Sequence, residues 1–359
     1  MSFFWGSWIT ILSLGCWLFI FGVLVWTLKS KPALEEDGTT GHEYDGIREY
    51  DKPLPKWWLV IFFGTLIWGL GYFVLFPAIM PNAWKGVTTV EVDGQPVYWT
   101  SANELNSQLQ ANNKVFIENF EQNILANAGA SEATAILAKL NDLQAQQKPG
   151  EENADLQKQI NDQITLLAPY VEKLAADPEA QKIGNRLFLQ NCALCHGSNA
   201  EGAAGYPNLT DNDWLHGGNT DQILLTIHNG RNLAETAGMP NQQKVIGEAG
   251  VKAVAEYVLS ISGNQNGYEL DAAKVTQGKA IFETTCAVCH GPDAKGQIAV
   301  GSPNLTDDTW LFGGDRDTIQ TSIRYGRRGV MPEWHSKLGN ERVMLLAAYV
   351  RSLSQDQAQ

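Results

Sequence analysis

Cys192-Ala193-Leu194-Cys195-His196 and Cys286-Ala287-Val288-Cys289-His290 decide the reading of this 359-residue chain. Each is a C-x-x-C-H sequence, the attachment pattern of a c-type haem. Two thiols three positions apart each add across one vinyl group, and the histidine that follows is held beneath the iron as its proximal ligand. One C-x-x-C pair would also suit a zinc site or a redox dithiol. Two copies, each with the trailing histidine, point to two covalently attached haem c groups.

The surroundings repeat with the motif, and this repeat sets the domain count. Gly184-x-x-x-Phe188 precedes the first copy and Gly278-x-x-x-Phe282 the second. Pro207-Asn208-Leu209-Thr210-Asp211 and then Trp214-Leu215-His216-Gly217-Gly218 follow the first copy. Pro303-Asn304-Leu305-Thr306-Asp307 and then Trp310-Leu311-Phe312-Gly313-Gly314 follow the second. Each half runs on to a Met-Pro pair, Met239-Pro240 or Met331-Pro332, and ends in a helical stretch with Tyr257-Val258 or Tyr349-Val350. A unit of about 85 residues is small for an independent core, and a buried macrocycle supplies the missing apolar volume. The sequence predicts two tandem class I cytochrome c domains, residues 178–264 and 265–359, in a mainly α chain.

Each iron needs a sixth ligand or an open position. Met239 and Met331 are matched in the two repeats, and only Met1, Met80 and Met344 remain elsewhere. A thioether opposite an imidazole raises the potential, as a relay towards an oxidant requires. As ordinary residues the two would be flexible core fillers. The predicted iron ligands are therefore His196 with Met239 and His290 with Met331. The first repeat leaves an alternative open, because it has His216 and His228 where the second has Phe312 and Arg324. A bis-histidine first haem would have a lower potential; otherwise His228 is expected at the haem edge, near a propionate. His335 follows Met331 too closely to compete easily.

Pro207 and Pro303 cannot donate through the backbone, but their carbonyls are expected to accept from the proximal histidines. Such a bond fixes the imidazole and raises its basicity. Trp214 and Trp310 are expected to wall the haems or reach a propionate, and Arg231 and Arg327 to pair with propionates. The Gly-x-x-x-Phe segments are expected to let each repeat's N-terminal helix cross its own C-terminal helix, at Tyr257 in the first and Tyr349 in the second.

The net charge of −13 leaves no basic patch for nucleic acid. An acidic surface suits a basic soluble protein that docks transiently. Four of the 5 cysteines lie in the C-x-x-C-H motifs, which excludes a disulfide framework, and Cys16 reads as a small buried hydrophobe. Phe4 to Leu28 and Trp57 to Met80 are two apolar runs. The first would span about 37 Å as a helix, enough for a bilayer core of about 30 Å. It lacks the basic start, the short length and the small-residue cleavage site of a signal peptide. Trp57, Trp58 and Trp84 fall where an aromatic belt would lie. The predicted organisation is transmembrane helix 1 (1–30), a cytoplasmic loop (31–56), transmembrane helix 2 (57–80) and a periplasmic linker with a helical insert (81–177), followed by the two haem domains. Lys29, Lys31, Arg48, Lys52 and Lys56 in the loop put it inside by the positive-inside rule. The haem domains and both termini then face the periplasm. Neither span carries a titratable group for proton pumping.

The loop reads His42-Glu43-Tyr44-Asp45-Gly46-Ile47-Arg48-Glu49, then Pro53-Leu54-Pro55-Lys56-Trp57-Trp58. On physics alone it is a polar, turn-rich connector with a solvated His42. This text, a membrane helix after it and two C-x-x-C-H domains behind resemble the dihaem subunit (CcoP, subunit III) of cbb3-type cytochrome c oxidases, over residues 1–100 and 176–356. The resemblance implies a two-pass protein of the bacterial inner membrane that takes electrons from a soluble periplasmic cytochrome c. It implies transfer through a membrane-anchored monohaem cytochrome c subunit (CcoO type) to the haem–copper catalytic subunit (CcoN type). A small single-helix subunit and membrane lipid are further implied neighbours. Such a chain carries electrons and performs no oxygen chemistry itself. The alternatives are a free-standing membrane-anchored dihaem cytochrome, the cytochrome subunit of a periplasmic dehydrogenase, or a haem-based sensor, which two well-placed methionines disfavour.

Residues 87–177 depart from that family, being longer and rich in Gln, Asn and Ala. Ser101-x-x-Glu104 reads as a capping box, and Leu105, Leu109, Phe116, Phe120 and Ile124 continue a helical face. Gly129 and Pro149-Gly150 punctuate the stretch. Beyond them Leu156, Ile160, Ile164, Leu167, Val171 and Leu174 keep helical spacing. Two or three amphipathic helices, acting as spacer or docking surface, are expected.

Overall fold

The computed structural model describes residues 3–30, 35–36, 38–50, 54–77, 84–148, 153–234, 237–262, 267 and 269–355. Lys31, Lys52, Pro53, Met80 and the Pro149-Gly150 break lie outside the described residues. The chain forms two compact units, Met1–Phe116 and Ile117–Gln359.

In the first unit α1 (Phe3–Lys29) and α2 (Lys56–Leu75) are both long and apolar enough to cross a membrane. Trp17 Nε1 of α1 donates to the Leu66 carbonyl of α2 at 3.2 Å. Cys16 is exposed on α1, not buried, because that apolar face meets no partner among the described residues. The loop holds more order than a turn-rich connector. Strands β1 (Thr39–Tyr44) and β2 (Ile47–Tyr50) pair antiparallel, with Tyr44 opposite Ile47. Asp45 (φ 51°) and Gly46 (φ 81°) make the turn, which fits the twist of a two-residue hairpin. Asp93 and Gly94 repeat the device between β3 (Thr89–Val92) and β4 (Gln95–Tyr98). The Asp-Gly pair was the sequence signal for both hairpins. His42 is exposed.

Helix α3 (Ser101–Asn119) starts where the capping pattern placed it, but the cap is Thr100, whose Oγ1 accepts from Asn103 N at 3.0 Å. A π turn over Phe120–Ile124 leads into the short α4 (Leu125–Asn127). The predicted face divides: Leu105 and Leu109 are exposed, whereas Phe120 and Ile124 are buried.

In the second unit the insert continues as α5 (Ala133–Ala145), α6 (Ala154–Leu166) and α7 (Ala168–Ala175). The run from Leu156 to Leu174 is two helices because Pro169 opens α7, where a missing N–H costs nothing. Leu137, Leu140, Ile160, Ile164, Leu167, Val171 and Leu174 are all buried.

The repeats supply α8 (Pro178–Asn191), α9 (Ala193–His196), α10 (Thr220–Asn229) and α11 (Gln243–Ile261), then α12 (Ala272–Ile281), α13 (Ala287–His290), α14 (Arg316–Tyr325), α15 (His335–Leu338) and α16 (Asn340–Gln355). Equivalent helices start alike. Asp177 caps α8 through Ala180 N, and Asp271 caps α12 through Ala273 N and Lys274 N. Asn219 and Asp315 open α10 and α14.

The helix pairing corrects the sequence expectation. Helix α8 of the first repeat packs on α16 of the second, and α12 of the second packs on α11 of the first. A Cβ at Gly184 would sit 2.6 Å from the Leu345 carbonyl and 2.7 Å from Tyr349 Cβ. One at Gly278 would run into the Ala253 carbonyl and lie 2.9 Å from Tyr257 Cβ. The Phe188 and Tyr349 rings are 5.4 Å apart, and those of Phe282 and Tyr257 are 5.3 Å apart. Each phenylalanine is fully buried, worth about 1.5–3 kcal/mol. The crossing motif was read correctly and its partner was not: both C-terminal helices offer the same Tyr-Val surface, so sequence cannot tell them apart.

The insert joins this packing. Helix α7 lies on α16 and on α10, and α6 lies on α10. Arg351 Nε of α16 is 3.0 Å from Glu172 Oε1 of α7.

Gly278→Val forces the α11–α12 crossing apart and is expected to cost about 1–3 kcal/mol, by analogy with overpacked cores. Gly184→Val is expected to do the same between α8 and α16. Denaturant unfolding of the haem-loaded chain, followed at the haem absorption, measures both, and an unchanged midpoint would contradict these crossings.

Candidate functional site

Each C-x-x-C-H sequence forms a single helical turn at the end of a crossing helix. Cys192 N donates to Phe188 O at 2.8 Å, and His196 N to Cys192 O at 3.0 Å. Gly197 (φ 77°) and Gly291 (φ 78°) end the two turns. The chain then doubles back, so Gly202 N reaches His196 O and Gly296 N reaches His290 O, both at 2.8 Å. In the Pro-Asn-Leu-Thr segments Asn208 Oδ1 accepts from Thr210 N and Oγ1, at 2.9 and 2.7 Å. Asn304 does the same for Thr306 at 3.0 and 2.7 Å. These closed turns aim the proline carbonyls. Pro207 O accepts from His196 Nδ1 at 3.0 Å, and Pro303 O from His290 Nδ1 at 3.2 Å.

A carbonyl only accepts, so Nδ1 carries the proton and each Nε2 is left with a lone pair. Burial lowers the pKa of both histidines and so favours the neutral imidazole, partly opposed by that backbone bond, which raises it. Burial and the neighbouring cysteine push the Cys192 and Cys286 thiols up to about 11. Each site thus sets a neutral imidazole with a free Nε2 lone pair, as iron ligation requires, beside a protonated Cys192 or Cys286 thiol.

The second site gives an independent sign of fit. Trp310 Nε1 is buried with no hydrogen-bond partner among the described residues. A buried indole N–H without an acceptor is costly, and a carboxylate at a haem edge would supply one. Trp310 and Cys286 pack with Leu305, Ile281 and Met239 against a core of Val251, Val254, Ala255, Val258, Leu259, Ile319 and Ile323. These residues give the second C-x-x-C-H turn an apolar surround, which suits a macrocycle.

The arginines are anchored at matching points. Arg231 donates through Nε and Nη2 to Thr226 Oγ1, at 2.9 and 2.6 Å, and Arg327 through Nε to Ser322 Oγ at 2.9 Å. The Arg327 guanidinium lies 4.3 Å over the Phe312 ring. Burial lowers the pKa of Arg231, which leaves a partly dehydrated cation suited to a carboxylate. Trp214 is half-buried. His216, in the place of Phe312, is lowered by burial and by the charge of Arg231. Met239 and Met331 are both half-buried. Each is paired with the arginine of the other repeat and not with that of its own. Met239 exchanges backbone hydrogen bonds with Arg327, at 2.8 and 3.0 Å, and Met331 with Arg231, at 2.8 and 3.1 Å.

His228 lies in a polar cluster between the insert and the two repeats. It is 2% exposed, donates through Nδ1 to Asn229 Oδ1 at 2.7 Å, and accepts through Nε2 from Gln144 of α5 at 2.8 Å. Its ring stacks on His335 at 4.1 Å, and His335 Nδ1 donates to the His228 carbonyl at 3.0 Å. With both nitrogens engaged, His228 is a packing residue that joins the insert to the first haem region. Asn340 completes the cluster through Asn141 and Gln144 at 2.7 and 2.8 Å. Sequence reading missed it, since its members are scattered from Asn141 to Asn340 with no spacing to mark them.

Paired C-x-x-C-H turns on crossing helices, each with a proline carbonyl behind the imidazole, define a dihaem c-type cytochrome. Residues 36–83 match the N-terminal domain of cytochrome oxidase-cbb3, FixP. Residues 179–258 and 273–350 each match cytochrome c oxidase, cbb3-type, subunit III. The chain is 35% identical over 339 residues to the cbb3-type cytochrome c oxidase subunit CcoP of Cereibacter sphaeroides, covering 90% of this chain and 97% of that protein. It is 36% identical over 353 residues to CcoP of Rubrivivax gelatinosus, covering 97% and 93%. It is 35% identical over 321 residues to subunit FixP of Azorhizobium caulinodans, covering 88% and 92%. The chain belongs to the CcoP/FixP family of cbb3-type cytochrome c oxidase subunits. It is a membrane-anchored dihaem electron-transfer protein with two covalently bound haem c groups.

His228 carries a pH dependence. Burial, then the charge of His335, lowers its pKa to about 4, against bonds to Asn229 and Asn340 that raise it. The unfolded chain therefore binds the extra proton first as pH falls, and stability is lost between about pH 6.5 and 4. His228→Gln is expected to flatten that window by up to about 3 kcal/mol relative to the parent, since one pKa unit is about 1.4 kcal/mol. Chemical denaturation at pH 7 and pH 4.5 measures it, and identical pH slopes would exclude a buried neutral His228.

Proposed function

We propose that this chain takes electrons from a soluble c-type cytochrome outside the cytoplasm and delivers them within an oxidase complex. The receiving subunit is a membrane-anchored monohaem cytochrome c of the CcoO type, which feeds the haem–copper subunit of the CcoN type where oxygen is reduced. The observation that carries this reading is the joint occurrence of the FixP-type N-terminal segment and two C-x-x-C-H sites in one chain. The net charge of −13 favours a basic donor.

Bound haem would supply reversible one-electron chemistry. Cys192, Cys195, Cys286 and Cys289 would tether the two groups. His196 and His290 would hold the irons through Nε2, with Nδ1 held by Pro207 and Pro303, which raises imidazole basicity and fixes the ring. Met239 and Met331 would be the remaining protein ligands, and a thioether there would favour the reduced state. Trp310 Nε1 and its counterpart in Trp214, with Arg231 and Arg327, serve the propionates. The domains run as 1–30, 31–56, 57–80, 81–177, 178–264 and 265–359 along the sequence. The two apolar helices form a hairpin with its loop in the cytoplasm, supported by Lys29, Arg48 and Lys56 and by the placement of c-type haem outside the cytoplasm. The outer faces of α1 and α2 meet lipid and a small single-helix subunit. The insert is a periplasmic buttress on the first haem region.

A tagged chain purified from mild detergent is expected to carry haem b together with haem c and to support azide-sensitive oxygen uptake from an artificial donor. Haem c alone, with no uptake under conditions that keep other oxidases assembled, would overturn the oxidase reading in favour of a free-standing cytochrome.

A further inference from the structure

We propose that the β3–β4 hairpin is a collar seated in the lipid headgroup layer, where it seals the end of α2 and beds its aromatic rings among the headgroups. This placement rests on α2 crossing the membrane, and it assigns a lipid surface to a folded segment beyond the span.

The helix end creates the need. The last four carbonyls of a helix have no partner within it. At 20 residues α2 is about as long as a bilayer core of about 30 Å is thick. Its final turn therefore falls at the edge of the hydrocarbon, where water is scarce and an unpaired carbonyl is costly. The chain beyond the span returns to meet this turn. Leu75 O accepts from Val87 N and Thr88 N, both at 3.1 Å, and Val74 O accepts from Trp84 Nε1 at 3.2 Å. Gly86 (φ 75°) permits the approach, because a Cβ there would run into the Leu75 carbonyl. In water the same carbonyls would be satisfied by solvent and would need no such cover.

The aromatic surface of the span runs on into the hairpin. The Trp68 and Tyr72 rings are 5.6 Å apart, those of Tyr72 and Phe76 are 4.7 Å apart, and Phe76 meets Trp99 edge-on at 4.8 Å. Trp84, Val87 and Tyr98 stay exposed, and Lys85 Nζ lies 5.3 Å from the centre of the Tyr98 ring. Rings with one polar edge, beside a lysine that can extend along its stem, are the side chains of a membrane–water boundary.

The hairpin is also held from its other side. Asn103 Nδ2 of α3 donates to Tyr98 O at 2.8 Å. Gln110 of α3 accepts from Asp93 N at 3.1 Å and donates to Asp93 Oδ1 at 2.8 Å. A two-stranded hairpin is marginal alone in water. This one is fixed between α2 and α3, and its seat in the headgroups sets the depth of α2 in the bilayer.

The test uses the intact complex in nanodiscs of phosphatidylcholine and phosphatidylglycerol. An environment-sensitive fluorescent amino acid replaces Tyr98 or, in a separate sample, Lys158 of α6, which is exposed. Phosphatidylcholine brominated near the top of its acyl chains quenches a probe at the headgroup boundary, and iodide quenches one in water. Brominated lipid is expected to quench the probe at Tyr98 strongly and iodide to quench it weakly, with the reverse at Lys158. Gly86→Val drives the hairpin off the Leu75 carbonyl and is expected to turn the Tyr98 probe from lipid-quenched to iodide-quenched. An unchanged pattern in that variant would overturn the seal at Leu75. Quenching at Tyr98 by iodide alone would put the hairpin in water, and quenching by neither would put it under another subunit; either overturns the collar. Release of the parent chain from membranes by alkaline carbonate would instead overturn the span itself. If the probe at Tyr98 prevents assembly, Val87 carries it with the same expectations.

Discussion

Two short antiparallel pairs, Arg231 with Met331 and Met239 with Arg327, hold the rest of the haem region in place. Each consists of reciprocal backbone hydrogen bonds at the point where the chain passes from one half to the other. Single bonds of this kind contribute about 1 kcal/mol net. Their weight here comes from position. They commit α11 and α16 to the opposite haem helix, and the close crossings at Gly184 and Gly278 follow. With these crossings made, Phe188 and Phe282 are buried a turn before the two cysteine pairs.

The site chemistry depends on the same economy of local structure. A proline removes the backbone N–H, a left-handed glycine ends the helical turn, and an asparagine side chain closes the next turn. Together they leave one carbonyl opposite Nδ1 of each histidine. Because that carbonyl accepts only, the tautomer is fixed and Nε2 is left with a lone pair. The apolar surroundings that hold the imidazoles neutral also leave Trp310 Nε1 without an acceptor among the described residues. Such a site is incomplete as protein and complete with a carboxylate-bearing macrocycle.

The insert shows how a segment without chemistry becomes part of the core. Its helices α5, α6 and α7 bury their apolar stripes together and against α10 and α16. Polar side chains from three regions then meet at His228: Gln144 from the insert, Asn229 from the first repeat, and His335 with Asn340 from the second. A histidine whose nitrogens and ring face are all engaged is held neutral, and its burial ties the two repeats and the insert into one unit.

Sequence alone determined the haem count, the two C-x-x-C-H turns, the proline carbonyls that meet their histidines, the membrane-length apolar helices and the family. These features are local: two cysteines and a histidine within five positions, a Gly-x-x-x-Phe face, or an unbroken apolar run each carry their meaning in the spacing. The Asp45-Gly46 and Asp93-Gly94 hairpins were equally local and went unread. Tertiary structure alone decided which C-terminal helix covers which haem helix. The repeats are near copies, so Tyr257 and Tyr349 offer the same surface to Gly184 and Gly278, and periodicity is blind to the choice. It is made by the connectors between the halves, where Asn232, Arg328 and Gly329 hold the crossing strands together. The role of His228 was decided the same way, because burial and partners drawn from distant segments are properties of packing.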